Sequence, residues 1–131
     1  MSVEAPGITG KYLSIMSYRR DGTGVATPVW FVDDGGRLLV MTTEGSGKVK
    51  RIRRNPAVGI AACSARGRLR SVPIPARAEV LPPAEVERVE RLMGRKYRFD
   101  LLFIRPIRAI QARRHPERRN EQPAILAITP N

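Results

Sequence analysis

Two clusters of aspartate and glycine, Asp21-Gly22-Thr23-Gly24 and Asp33-Asp34-Gly35-Gly36, divide the first part of the chain into three apolar runs. Such clusters tolerate the positive φ that short hairpin turns require. The runs between them are strand-like. Lys11 to Arg19 carries Tyr12, Leu13, Ile15, Met16 and Tyr18, Val25 to Val32 is β-branched and aromatic, and Arg37 to Thr43 is a third apolar stretch. Three strands joined by two tight turns form an antiparallel meander. Pro28 interrupts the second strand. Proline donates nothing to a ladder, so it marks an edge, a bulge or backbone that faces a ligand.

A short basic helix is expected next, from Ser46 or Gly47 to Asn55, ended by Asn55-Pro56. At 100° per residue Val49 and Ile52 share one face, while Lys50, Arg51 and Arg54 share the other. Ala57 to Ser64 reads as a fourth strand, apolar on both faces. After the turn Ala65-Arg66-Gly67, Arg68 to Leu81 reads as a long bent fifth strand containing Pro73 and Pro75. Pro82-Pro83 opens a helix from Ala84 to about Tyr97, with the stripe Val86, Val89, Leu92, Met93 and Tyr97. Asp100 can cap a further helix through Ile110, kinked at Pro106. Residues 111–122 are polar and basic and, like residues 1–9, are expected to be flexible; Ala124 to Thr129 is the last strand. Closure removes the edges that so many apolar strands would expose. The fold class is α+β, a single domain over residues 1–131 built on a six-stranded antiparallel barrel, with a crossover helix and one or two helices in the C-terminal half.

Composition narrows the chemistry. The sequence has one cysteine and one histidine. Cys63 lies in the apolar run Ala57 to Cys63, as a small buried residue would, and His115 sits in the charged run Arg113 to Arg119. A Ser–His–Asp triad and a Cys/His metal cluster are therefore not expected, so any enzymatic chemistry would come from a cofactor. No apolar run approaches the ~20 residues of a bilayer-spanning helix. The start of the chain lacks a basic-then-apolar signal pattern, so a cytoplasmic protein is expected.

The net charge of +12 calls for an anionic partner or a solvated, arginine-rich surface. One segment stands out. Met41-Thr42-Thr43 leads through Ser46-Gly47-Lys48 into the basic helix, with five cations in the seven positions from Lys48 to Arg54. Hydroxyls, helix-start N–H groups and a lysine make a phosphate-sized anion site. The Lys48 side chain is expected to be exposed and able to fold back over the anion. The surplus charge on Lys50, Arg51 and Arg54 suits a polyanionic ligand. Aromatics are only 5%, with no stacking platform of the kind that nucleic-acid binders use.

Tyr12 to Gly22, Val25-Ala-Thr-Pro28-Val-Trp30-Phe31, Gly36 to Thr43 and Ser46 to Val58 together resemble the split β-barrel flavin-binding superfamily named for pyridoxamine 5′-phosphate oxidase. The similarity is nearest to its actinobacterial branch that uses the deazaflavin coenzyme F-420. The resemblance implies a homodimer with cofactor sites between subunits and a coenzyme phosphate near Met41 to Thr43 and Gly47-Lys48. It implies a cofactor ring along Ala26, Thr27, Pro28 and Trp30, and an oligoglutamate tail near Lys50, Arg51 and Arg54. The activity implied is hydride transfer from reduced deazaflavin to an electron-poor small molecule, with no catalytic side chain assigned and no metal. The substrate-phosphate residues of pyridoxamine phosphate oxidases proper are not found. Alternatives are an FMN-binding, flavin reductase-like protein, a non-catalytic carrier of an anionic cofactor, and a basic nucleic-acid-binding module.

Overall fold

A computed structural model describes residues 8–98 and 122–131. Strands β1 (Tyr12–Tyr18), β2 (Gly24–Asp34) and β3 (Arg37–Thr43) form the meander. Helix α1 (Gly47–Arg54), β4 (Ala57–Cys63), β5 (Ile74–Val80), a 3-10 turn (Pro83–Glu85), α2 (Val86–Lys96) and β6 (Pro123–Pro130) follow. The strands close into an antiparallel barrel in the order β1-β2-β3-β6-β5-β4. The turns carry the chemistry expected of them. Gly22 sits at φ 89°, and the Thr23 N–H donates to Asp21 Oδ1 at 2.9 Å. Gly35 and Gly36, at φ 58° and 95°, make the two-residue link between β2 and β3.

Strand β2 changes partner midway, and that change shapes the molecule. Its residues from Gly24 to Trp30 pair with β1, whereas Phe31 to Asp34 pair with β3. Pro28 therefore lies where β2 has a strand neighbour on one side only among the described residues, the place where a missing N–H costs no ladder bond. Beyond Phe31↔Val40 the two strands part. Gly24 to Trp30 and Met41 to Thr43 border a seam that no described strand fills.

Two apolar clusters hold the fold. The barrel interior is filled by Leu13, Ile15, Phe31, Val40, Ile60, Leu126 and Ile128, and Val49 and Ile52 of α1 join them from one end. That end is the one where β1 finishes, β2 begins and β3 finishes, because the strands are antiparallel. Helix α1 is the plug. The second cluster lies outside the barrel, where Val89, Met93 and Tyr97 of α2 cover Val32, Leu39, Ile125 and Ala127. Tyr97 also pins the split in β2. Its hydroxyl accepts from the Phe31 N–H at 3.0 Å and lies 2.6 Å from the Lys11 carbonyl and 2.9 Å from that of Phe31.

The fifth strand is shorter than the sequence suggested. Residues before Ile74 form a turn with a single bridge, Cys63↔Leu69, because Pro73 supplies no donor and Ser71 Oγ takes the Ala62 N–H that a longer ladder would use. The first turn of the second helix is 3-10, so α2 proper begins at Val86. Ile8 is buried in the barrel core, and the Gln122 carbonyl accepts from the Glu44 N–H at 2.8 Å. The expected helix through 101–110 and the flexible stretches 1–7 and 111–121 lie outside the described residues.

Candidate functional site

Helix α1 is started by Ser46. Its backbone is extended (φ −70°, ψ 152°) and its hydroxyl accepts from the Val49 N–H at 3.3 Å. Its own N–H is held by the Thr43 carbonyl at 3.1 Å, which ties the helix start to the end of β3. The N–H groups of Gly47 and Lys48 belong to the first turn and have no intrahelical acceptor. No acidic residue stands in that turn. The positive end of the helix is thus uncompensated within the helix itself.

Lys48 and Arg51 lie over this end, and Arg19 and Arg54 stand close enough to Arg51 to repel it. The Arg51 Nε donates to Ser17 Oγ at 2.7 Å, and Arg54 Nη2 donates to the Tyr18 carbonyl at 2.9 Å. Arg51 folds back over the helix start so closely that a Cβ on Gly47 would stand 2.8 Å from its Nη1. Burial, with repulsion from Arg19 and Arg54, pulls the Arg51 pKa down. The Lys48 pKa is lowered first by burial and then by the Arg51 charge. Lys48 is half-buried rather than exposed, contrary to the sequence-based expectation. Lys50 and Arg54 are exposed, Arg54 while bonded to the end of β1, whereas Arg51 is partly buried against it.

Three carboxylates are paired elsewhere, while Asp21 feels the charge of Arg19. Glu44 pairs with Arg53, Asp34 with Arg37 and Arg88, and Glu85 with Arg88. None of Arg19, Lys48, Arg51 and Arg54 forms a salt bridge with a described carboxylate. The mutual repulsion of Lys48 and Arg51 with their cationic neighbours raises the free energy of the unliganded protein, and an anion bound among them relieves it.

The remaining expected residues fall into two groups, separated by the strand alternation. Residues directly opposite across β1 and β2 share a face, so Ser17, Thr27 and Val29 lie with Leu13 and Ile15 on the inner face, and Ala26, Pro28 and Trp30 on the outer. Likewise Thr42 shares the inner face with Val40, while Met41 and Thr43 face out. Trp30 stacks on Tyr97, centroids 4.3 Å apart and planes at 4°. Ala26 lines a small pocket of 180 Å³ on the outer wall with Ser14, Met16, Tyr18, Gly67 and Leu69. Two larger clefts, of 520 and 500 Å³, lie away from the Lys48 cluster and share Arg53, Leu81 and Pro83.

Sequence reasoning missed Ser17 and Arg19. A polar residue at an inward position of an otherwise apolar strand was the available signal for Ser17. Cys63 is buried, and burial pushes its thiol pKa up, the reverse of what a nucleophile needs. His115 lies outside the described residues, and among those described no group of three His, Cys, Asp or Glu could hold a metal. No described helix is long and apolar enough to cross a membrane.

The family model for pyridoxamine 5′-phosphate oxidase matches residues 10–129. No curated protein matches the chain in sequence. Several solved structures share its fold. An F420 reductase is 19% identical with a TM-score of 0.60, the match covering 92% of this chain and 86% of the other. The conserved hypothetical protein Rv2991 of Mycobacterium tuberculosis is 16% identical, TM-score 0.63, covering 94% and 74%. An FAD-binding protein of Mesorhizobium loti is 14% identical, TM-score 0.58, covering 93% and 80%. At these identities the likeness is one of fold.

Proposed function

This chain belongs to the pyridoxamine 5′-phosphate oxidase family, and from that premise we propose that it is an oxidoreductase that uses coenzyme F-420 to reduce an electron-poor small molecule. The observation that carries the reading is the pair Lys48 and Arg51 over the start of α1, with Arg19 and Arg54 close to Arg51 and none of the four in a salt bridge with a described carboxylate. A single phosphate uses the helix-start N–H groups and one or two of these cations. The others, with exposed Lys50, suit the several carboxylates of a glutamate tail. One fold neighbour is an F420 reductase, which agrees with this choice, while another is FAD-binding.

When bound, a reduced deazaflavin supplies a hydride to the acceptor. The chain's own part is to bind and orient. Gly47, Lys48 and Arg51 would hold the phosphate, and the outer-face residues Ala26 and Pro28 would offer an apolar bed for the ring. Water would be excluded by apolar side chains, and no titratable side chain is needed as a proton carrier if the proton comes from solvent.

The site would be completed by a second copy. Helix α2 covers one half of the outer wall, whereas Met16 of β1 and Leu69 and Val72 of the β4–β5 turn are exposed, Val72 at 81%. Exposed apolar side chains of this kind are suited to a two-fold interface. Sedimentation should give a dimer at micromolar concentration, and the purified dimer should oxidise reduced F-420 in the presence of an electron-poor alkene. A monomer with no such activity would remove the proposal. FMN is the second reading, because nothing in a one-phosphate site rejects it.

A further inference from the structure

Among the described residues one buried side-chain polar atom lacks a hydrogen-bond partner, Thr27 Oγ1. Buried hydroxyls are normally satisfied, since leaving one unpaired is costly, so this one needs an explanation. Its position supplies one. Thr27 lies opposite Ile15 on the inner face of β2, one diagonal step from Ser17, which lies opposite Val25. Ser17 Oγ accepts from Arg51, and Arg51 reaches back over Gly47 at the helix start. Thr42, on the inner face of β3 across the seam, brings a third hydroxyl to the same end of the barrel. Here β2 has lost β3 as a partner, so the gap beside Thr27 is filled by no described strand.

Resting on the cofactor reading above, we infer that Thr27 is a phosphate ligand and not part of the ring platform: its hydroxyl donates to a phosphoryl oxygen of the bound cofactor. The alternation of β2 separates the two roles. Ala26 and Pro28 present the outer face, and Thr27 presents the inner face toward the Ser17–Arg51–Gly47 chain. The unpaired hydroxyl is a cost carried by the free protein and removed when the ligand oxygen arrives.

Thr27→Val keeps the shape and deletes the hydroxyl; Thr27→Ser keeps the hydroxyl. Both full-length variants and the parent are titrated with F-420 and FMN, and with the phosphate-free parents of each, deazariboflavin and riboflavin. Thermal melts are run without ligand. Thr27→Val should melt no lower than the parent, and its Kd for the phosphorylated cofactors should rise about tenfold or more, as befits loss of a bond to a charged oxygen. Its affinity for the phosphate-free forms should stay within about twofold, and Thr27→Ser should bind close to the parent. Equal losses for phosphorylated and phosphate-free forms would move the contact to the ring and overturn the assignment. So would a Thr27→Val protein that binds like the parent while Lys48→Ala binds weakly, a result that leaves the cofactor reading standing. A parent that binds none of the four compounds overturns both.

Discussion

Replacing Tyr97 by Phe removes one oxygen from the point where β2 changes partner, and its cost can be worked out bond by bond. The ring is fully buried and stacks on Trp30, and both features survive in Phe. The Phe31 carbonyl keeps Lys96 Nζ as a donor at 2.8 Å, and the Lys11 carbonyl belongs to an exposed residue that water can reach. The Phe31 N–H is different. It is buried and donates to the Tyr97 oxygen, so the change leaves it without that acceptor, at a cost of about 1–3 kcal/mol. For a chain of this size that corresponds to a fall in Tm of roughly 3–12 °C. Tyr97→Ala adds loss of the ring, a further cost of about 3–5 kcal/mol by the usual large-to-small range. Urea and thermal melts followed by Trp30 fluorescence measure both. A Tyr97→Phe protein within about 0.5 kcal/mol of the parent would refute the idea that this hydroxyl pins the split.

Other outcomes follow from the same geometry. Lys48→Ala should weaken cofactor binding by about 1.5–3 kcal/mol without lowering the Tm of the free protein, since it deletes a half-buried, repelled cation; Lys50→Ala should cost under about 1 kcal/mol. Calorimetric titration beside a melt decides both. Gly47→Ala should fold at least as well, because Ala favours the helix, yet bind the cofactor more weakly as the new Cβ displaces Arg51. Asp34 is held below the usual carboxylate pKa chiefly by Arg88, and also by Arg37, against the opposing effect of burial. Its contribution to stability is complete above the ordinary carboxylate range and is lost as pH falls below it. Asp34→Asn should therefore be less stable than the parent at neutral pH, with the difference closing in acid, as paired melts across pH would record.

Much of the barrel was legible because its signals are local. The Asp/Gly clusters fix the meander turns, the Val49/Ile52 stripe fixes the buried side of α1, and Val89, Met93 and Tyr97 recur at helical spacing. The error in β5 is also local in origin. Leu69, Val72 and Ile74 favour a strand, but Pro73 and a side-chain acceptor at Ser71 break the ladder there. The electrostatics of the site were less readable. A helical wheel sends Arg51 to solvent, and only the tertiary neighbour β1, 34 residues away at Ser17, turns it back. The partial burial of Lys48 likewise depends on tertiary neighbours that a helical wheel does not show. Nothing in the sequence near Thr27 announces that β2 loses its second partner there, because the split depends on long-range pairing of Phe31 with Val40.

The central claim is that an anionic cofactor with a charged tail is held by the cations around the start of α1. Titration of the purified protein with coenzyme F-420 and with FMN, followed by absorbance at low and at raised salt, tests it most directly. The account predicts that F-420 binds more tightly than FMN, that the advantage shrinks as salt screens the exposed cations, and that Lys48→Ala weakens both ligands. FMN binding as tight as or tighter than F-420 at low salt would contradict the deazaflavin assignment, and binding of either ligand unaffected by Lys48→Ala would contradict the site.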